Sequence, residues 1–364
     1  PEATPLLWLV AVLTLIDGIR DLSLALFRAK EKMELEALVN MVTNIGIFAF
    51  SIGVLFFSRE AKTMLVAYVV SDAIGALVAV AILRNEFFGV FKNFTREYVR
   101  PIVNSAWAIA VVTFAGFFAF NLDVIMLGWW HQSLEIGFYA AGQRIVQLFF
   151  TIPGIVAGSI TPMMSRLAAG GNKDRMRDLF QYSLRVVLVI ALPLTVGGML
   201  LSREVIEFLY GSEYLGAVPS FRIFIMLIIV NFLLPILASP ILAFDEQRKV
   251  AWPILAASVS NGILNALFIP KFGAVGAAVA TLISQMVYML FLWRIAGHLV
   301  GFSILKPLVK ISTSVLVMGG VTWVLNYLGI HVLINILVSS IIYFATLIYL
   351  DREILDRILS FRKP

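Results

Sequence analysis

The sequence predicts an all-α polytopic membrane protein of about eleven transmembrane helices. Three observations carry that expectation. Hydrophobic residues make up 60% of the chain and charged residues only 14%, whereas a soluble domain carries about a quarter charged residues. The apolar residues fall in long continuous stretches, each near the roughly 20 residues needed to cross a bilayer. The basic residues sort between alternate connections. A mean hydropathy of +0.95 agrees, and one apolar globular core does not produce spans this long and this regularly spaced.

In chain order the spans are 6–27, 35–57, 64–83, 101–130, 134–164, 182–201, 218–243, 250–269, 274–293, 307–328 and 332–350. Hydrocarbon offers no partner to an open backbone N–H or C=O, so each span is a helix or a barrel strand. None shows the polar/apolar alternation of a barrel strand, which leaves a helical bundle.

The connections fix its orientation. One side collects Arg28, Lys30 and Lys32, then Arg84 to Arg100, Arg166 to Arg177, Arg248 and Lys249, Arg294 and Lys306, and Arg352 to Lys363, nineteen basic residues in all. The other side holds only Arg59, Lys62, Arg203 and Lys271. The basic-rich side is cytoplasmic by the positive-inside rule. The C-terminus is then inside and Pro1 outside. The net charge of +6 reads as topology, with no call for a nucleic-acid partner. An outer end that opens Pro-Glu-Ala-Thr-Pro, with neither Met nor a signal-peptide pattern, is expected to continue upstream. The absence of cysteine excludes disulfides, iron–sulfur clusters and thiol catalysis. His131, His298 and His331 stand far apart at span ends, which argues against a metal site.

The chain carries an internal repeat. Phe27, Lys32, Leu38, Val42 and Asn44 match Phe244, Lys249, Leu255, Val259 and Asn261 at a constant offset of 217, and after a small gap Ser71 matches Ser284. The first span then corresponds to the seventh, which makes a six-helix repeat whose first copy lacks three helices. Many secondary transporters are built from such repeats, with substrate held between them. The expected organisation is 1–83 as half of an N-terminal lobe, 84–100 as a cytoplasmic linker with an apolar Phe face that lies on the membrane, 101–300 as a six-helix lobe, 301–350 as an extra helix pair and 351–364 as a cytoplasmic tail.

Three stretches carry a family resemblance: Asp123-Val-Ile-Met-Leu-Gly128 followed by Gly137-Phe-Tyr-Ala-Ala141, Arg144, Ile152-Pro153 and Pro162; Leu209-Tyr-Gly-Ser-Glu-Tyr214; and Asn265 through Ile269-Pro270-Lys-Phe-Gly273-Ala-Val-Gly276 to Thr281. In order and spacing the chain resembles the polysaccharide-flippase (O-antigen type) branch of the multidrug/oligosaccharidyl-lipid/polysaccharide exporter superfamily. The resemblance implies a two-lobe bundle lacking the first three helices of a 14-helix family fold. It implies a secondary transporter that flips polyprenyl-diphosphate-linked oligosaccharide across the cytoplasmic membrane by alternating access, among membrane lipids and alongside polysaccharide polymerase and assembly machinery. It implies no catalytic residues and no cofactor beyond a coupling H+ or Na+. No G-x-x-x-x-G-K-[ST] nucleotide loop is present.

Charges inside spans are costly and face a cavity or a partner. Arg20, Arg144 and Arg222 are the candidate substrate ligands, because guanidinium forks onto phosphate oxygens. Asp72, Asp17, Asp21 and Asp123 are the candidate ion-coupling carboxylates. The alternative stays open that Arg20 only neutralises Asp17 or Asp21, that Arg144 only neutralises Asp123 at nearly the same depth, and that Arg222 reaches for the outer interface. Asp72 has no evident local basic partner. Gly154 with Gly158, and Gly273 with Ala277 and Thr281, read as helix-packing seams. Pro153, Pro162, Pro235 and Pro240 read as helix bends. Competing functions are a drug/cation antiporter, which wants acids and aromatics in its cavity, and an intramembrane glycosyltransferase, which wants a polar catalytic loop that the short connections do not supply.

Overall fold

The computed structural model describes residues 6–58, 60–84, 121–130 and 133–351, with single residues 86, 89, 97, 100, 101 and 103. Span 101–130 and the 84–100 linker therefore fall mostly outside the described residues. The described chain is helical throughout and divides into two compact units, Pro1–Ile109 and Ala110–Pro364.

The first unit holds α1 (Leu7–Ala29), α2 (Met33–Leu55) and α3 (Ala61–Ile82). Helices in lipid associate through close packing across small residues, and α2 and α3 meet in that way. A Cβ at Gly75 would lie 1.9 Å from Thr43 Oγ1, and one at Gly46 would lie 3.3 Å from Ser71 Cβ. Leu24, Phe27, Val39, Ala79 and Leu83 form a small core where α1 and α3 end and α2 begins.

The second unit holds α4 (residues 121–130), α5 (Ser133–Gln147), α6 (Thr151–Ala169), α7 (Lys173–Leu200), α8 (Ser202–Tyr210), α9 (Val218–Ala243), α10 (Arg248–Val300), α11 (Leu305–Tyr327) and α12 (Val332–Leu350). Helix α9 is its central stave and packs on α5, α6, α7 and α10. The reason is in its sequence. It is apolar on all sides, and a helix without a polar face belongs in the interior; it is buried over 67% of its most apolar window, against 33% or less for the other spans. The final pair α11 and α12 joins the unit by packing α11 along α7. Between them, Thr322 donates to Ser339, Ser339 donates to Asn335, and Asn335 Nδ2 donates to the Thr322 carbonyl. At its end, buried Asp351 accepts from Arg185 on α7 and from Lys310 on α11. That clasp accounts for two of the basic residues that the sequence leaves inside spans.

Among the described residues, eight helical runs are long and apolar enough to cross a membrane. The protein is a multi-pass membrane protein. Helix α1 has the length of a span and falls outside the eight, with Asp17, Arg20 and Asp21 at mid-helix. The spans expected at 250–269 and 274–293 are the two arms of the 53-residue α10, which reverses at Gly273 (φ 50°, ψ −131°). Helices α5 and α6 run on through a 3-10 turn at Leu148–Phe150. Pro153 explains that turn, because its ring crowds the carbonyl four residues earlier, at Phe149. The short amphipathic α8 has no counterpart among the expected spans.

Four helix ends are closed alike, by a residue in the left-handed region and an N–H that reaches back five residues. The residues are Glu31, Gly171, Asp245 and Gly329, and the closing bonds run from Lys32 N to Phe27 O, Asn172 N to Leu167 O, Glu246 N to Ile241 O and Ile330 N to Leu325 O. The first and third are the repeat-related corners. Equating them sets Phe27 opposite Ile241, three residues from the register read in the sequence, where Phe27 met Phe244.

A left-handed conformation costs a side chain with Cβ roughly 1 kcal/mol, and glycine nothing comparable. We predict that Glu31→Gly stabilises the protein by about that amount, and that Gly171→Ala destabilises it similarly. Thermal unfolding of the detergent-purified protein measures both, and a Glu31→Gly variant that melts lower than the parent would contradict the corner's geometry.

Candidate functional site

Apart from the Asp351 clasp, each unit holds one group of residues gathered on an interior charge. In the first, Arg20 of α1 is the hub. Its Nη1 pairs with Asp72 Oδ1 on α3, and its Nη2 lies 2.7 Å from Asp17 Oδ1 and 3.6 Å from Asp21 Oδ1. Asp72 is buried, at 3% exposure. The expectation that Asp72 lacks a basic partner is therefore corrected. Its partner is 52 residues away in the chain and comes from a neighbouring helix, which a search for local partners does not reach. The close α2–α3 seam at Gly75 and Gly46 sets Asp72, one residue beyond Ser71, at its depth in the unit.

In the second unit the hub is Asp123 on α4, at 5% exposure. It accepts hydrogen bonds from the Tyr139 hydroxyl on α5 and from Thr281 Oγ1 on the second arm of α10, the latter at 2.9 Å. Behind Thr281 stand two residues of the first arm. Asn261 Nδ2 donates to Thr281 Oγ1 at 3.4 Å, and Asn265 Nδ2 donates to Asn261 Oδ1 at 3.0 Å. Asn265 is fully buried, and its Oδ1 has no hydrogen-bond donor among the described residues. The site is a carboxylate and a set of neutral oxygens, gathered where the two arms of α10 meet the α4–α5 hairpin.

The Gly273 corner aligns those arms. Glu135 on α5 accepts from the Ala274 backbone N–H at 2.9 Å and so caps the second arm. A Cβ on Gly273 would fall 2.6 Å from the same carboxylate oxygen. The positive φ and the close approach both require glycine there. On the arms themselves, a Cβ at Gly276 would lie 2.5 Å from the Phe268 carbonyl, so the seam expected along Gly273, Ala277 and Thr281 is a packed one.

Arg144 does not pair with Asp123. It is exposed and makes no hydrogen bond or ion pair among the described residues. Depth along the hairpin was the right measure of height but left out rotation. Tyr139 and Arg144 are five residues apart on one helix, which turns them about 140° from each other, so a Tyr139 aimed at Asp123 sends Arg144 the other way. The open face continues down α6 through Gln147, Thr151, Gly154, Gly158 and Ser165, all exposed. Among the described residues, a Cβ at Gly154 or Gly158 meets nothing within 4 Å. Arg222 is exposed at the start of α9 and donates from Nε to Ser202 Oγ at 2.7 Å, tying α8 to α9.

The unit also has a partly open apolar pocket of about 480 Å³ between α5, α7, α9, α11 and α12, with Phe149, Pro193, Ile225, Met318 and Tyr343 among its walls. Four residues of the Asp123 site, Tyr139, Asn261, Asn265 and Thr281, were not read as functional from the sequence. A signal was there. Asn261 and Asn265 are one helical turn apart in an apolar span, and such polar residues are retained in lipid only when they find partners.

The fold and these sites define a multi-pass helical membrane protein that keeps charge in its interior and bares an arginine on a small-residue face. The chain belongs to the polysaccharide biosynthesis protein family, whose model matches residues 1–219. The resemblance read from the motifs to polysaccharide flippases holds. The chain is 25% identical over 263 residues to the probable low-salt glycan biosynthesis flippase Agl15 of Haloferax volcanii, covering 71% of this chain and 54% of that protein. It is 25% identical over 256 residues to the lipid II flippase MurJ of Bacillus subtilis, covering 66% and 46%. The chain thus spans about half the length of the curated relatives it matches. A solved structure of the lipid II flippase MurJ in an inward closed conformation superposes with a TM-score of 0.78 over 97% of this chain and 75% of that one, at 18% identity. That likeness is one of fold. The relatives named here are flippases and not enzymes.

The geometry separates the roles of neighbouring side chains. Tyr139→Phe removes a donor from a buried carboxylate and should destabilise the protein by about 1–3 kcal/mol. Arg144→Gln should change stability by less than about 0.5 kcal/mol, as a surface substitution does. Chemical or thermal unfolding of both variants tests this, and a large loss in Arg144→Gln would restore the Asp123–Arg144 pairing.

Proposed function

We propose that the protein flips polyprenyl-diphosphate-linked oligosaccharide across the cytoplasmic membrane, by alternating access, for cell-surface polysaccharide biosynthesis. The observation that carries this reading is Arg144. A charge within a span costs roughly 2.5–3.5 kcal/mol on insertion scales. Here it is exposed, has no carboxylate partner among the described residues and lies on a stripe of small and polar residues. A guanidinium so placed is a two-pronged ligand for phosphate oxygens, and the small residues below it leave room for sugars. The apolar pocket of the same unit supports the reading, since its walls suit an isoprenoid chain. Arg222, near the outer end, and Arg20 in the first unit are the further headgroup ligands. Each is held by a neighbour now, Arg222 by one neutral hydroxyl.

Asp123 is the coupling carboxylate in this reading. A carboxylate deep in a membrane unit, with only hydroxyl and amide neighbours, takes a cation to balance it, either a proton or a sodium ion held with the oxygens of Thr281 and the two asparagines. A drug/cation antiporter would bare an acid on its open face; here the open face bears the arginine and the acid is enclosed. The basic loops orient the C-terminus inward.

The test is reconstitution of the purified protein into liposomes with a fluorescent lipid-linked oligosaccharide, followed by a reagent that reads only the outer leaflet. Wild type should exchange the lipid between leaflets. Arg144→Lys and Arg144→Gln should each slow exchange roughly tenfold or more, and Asp123→Asn should remove its dependence on the cation gradient. No exchange above lipid-only vesicles would sink the proposal. Orientation is tested separately: a single cysteine at Lys173 should resist a membrane-impermeant thiol reagent on intact cells, and labelling there would invert the topology.

A further inference from the structure

The Arg20 cluster is out of electrical balance. One guanidinium faces three carboxylates, Asp17, Asp21 and Asp72. Asp21 is 67% exposed at its side chain, so solvent or headgroups can carry its charge. Asp72 has no such relief. It is 97% buried, and its Oδ2 has no hydrogen-bond partner among the described residues. The Arg20 Nε is likewise buried and unpartnered. Asp17 and Asp72 meet on the same guanidinium, Asp17 on Nη2 at 2.7 Å and Asp72 on Nη1.

Among the described residues, the other charged and titratable groups on the packed helices do not supply the missing positive charge. On α1, Arg28 is 3.5 Å from Glu36 of α2, and Glu34 of α2 is acidic. On α3, Lys62 lies ten residues before Asp72, about 15 Å along the helix, and Tyr68 is neutral and exposed. Asp17 is 42% exposed at its side chain, but a buried carboxylate drawn against a second one on a single guanidinium favours taking up a proton.

We infer that Asp17 and Asp72 form a proton-binding pair that switches Arg20 between an internal ion pair and a ligand for a diphosphate headgroup. This rests on the reading of Arg20 as an anion ligand. With the proton absent, both carboxylates claim the guanidinium. With the proton bound, Asp72 is a neutral acid that donates to Asp17, and Arg20 keeps one carboxylate and frees its second prong. Proton and anion therefore bind together, and by linkage each raises the affinity for the other.

The test uses the purified full chain in detergent, with geranylgeranyl diphosphate as probe. In weak buffer made alkaline enough for the free pair to have lost its proton, with a pH-indicator dye, wild type should take up about one proton per probe bound. Asp72→Asn should take up none, and in alkaline buffer it should bind the probe roughly tenfold more tightly, the worth of one charge-assisted hydrogen bond. Asp72→Glu keeps the proton site and should behave like wild type, as should Asp21→Asn. Equal uptake in wild type and Asp72→Asn overturns the switch, and so does failure of wild type to bind the probe. Infrared spectroscopy of wild type needs no variant: a protonated-carboxyl band at neutral pH that disappears in alkali is expected, and its absence overturns the switch. Proton-linked binding without lipid exchange in vesicles would leave the switch standing and remove the flippase reading; exchange without proton linkage would do the reverse.

Discussion

A charge that sits in hydrocarbon must be answered where it sits, because water is not there to answer it. That constraint organises both units. Arg185 and Lys310 are answered by Asp351, and their meeting point fixes where the last two helices attach. Asp123 is answered by a hydroxyl from α5 and another from α10, so the carboxylate also decides how three helices come together. Arg20 is answered more than once over. Arg144 is answered by nothing among the described residues, and it is the one that geometry turns outward. The interior thus distinguishes charges that build the bundle from charges left free to act on something else.

Small residues do the complementary work. With lipid as apolar as the helices, association comes from close fit and from hydrogen bonds rather than from exclusion of water. Gly46 and Gly75 let α2 and α3 approach until side chains of one touch backbone of the other, and Gly276 does the same for the arms of α10. Gly154 and Gly158 meet no neighbour among the described residues. On α6 they lie on an open face, where their lack of bulk keeps space clear.

The spans were legible in the sequence because crossing a bilayer imposes a length and a composition that little else produces. Their ends were legible from loop charge. What joins one span to another was not. Arg20 with Asp72, and Asp123 with Thr281, are partners brought together by helix packing across long separations, and the linear sequence records neither the rotation of a helix about its axis nor its choice of neighbour. Arg144 illustrates the limit: its depth could be counted, but its direction depended on which side of α5 Tyr139 occupied. The corner at Gly273 was legible only as the gap between two expected spans. A turn one glycine wide, closed by a carboxylate from a different helix, leaves no polar loop to read.

That corner also fixes what its end of the bundle can accept. A connection with slack lets a stretch of foreign residues loop away from the membrane. Between Phe272 and Ala274 there is none. The backbone reverses within a single residue, and the space beside it is filled by Glu135, so an epitope tag inserted there would pry α5 from α10 and disturb the carboxylate site seven residues below.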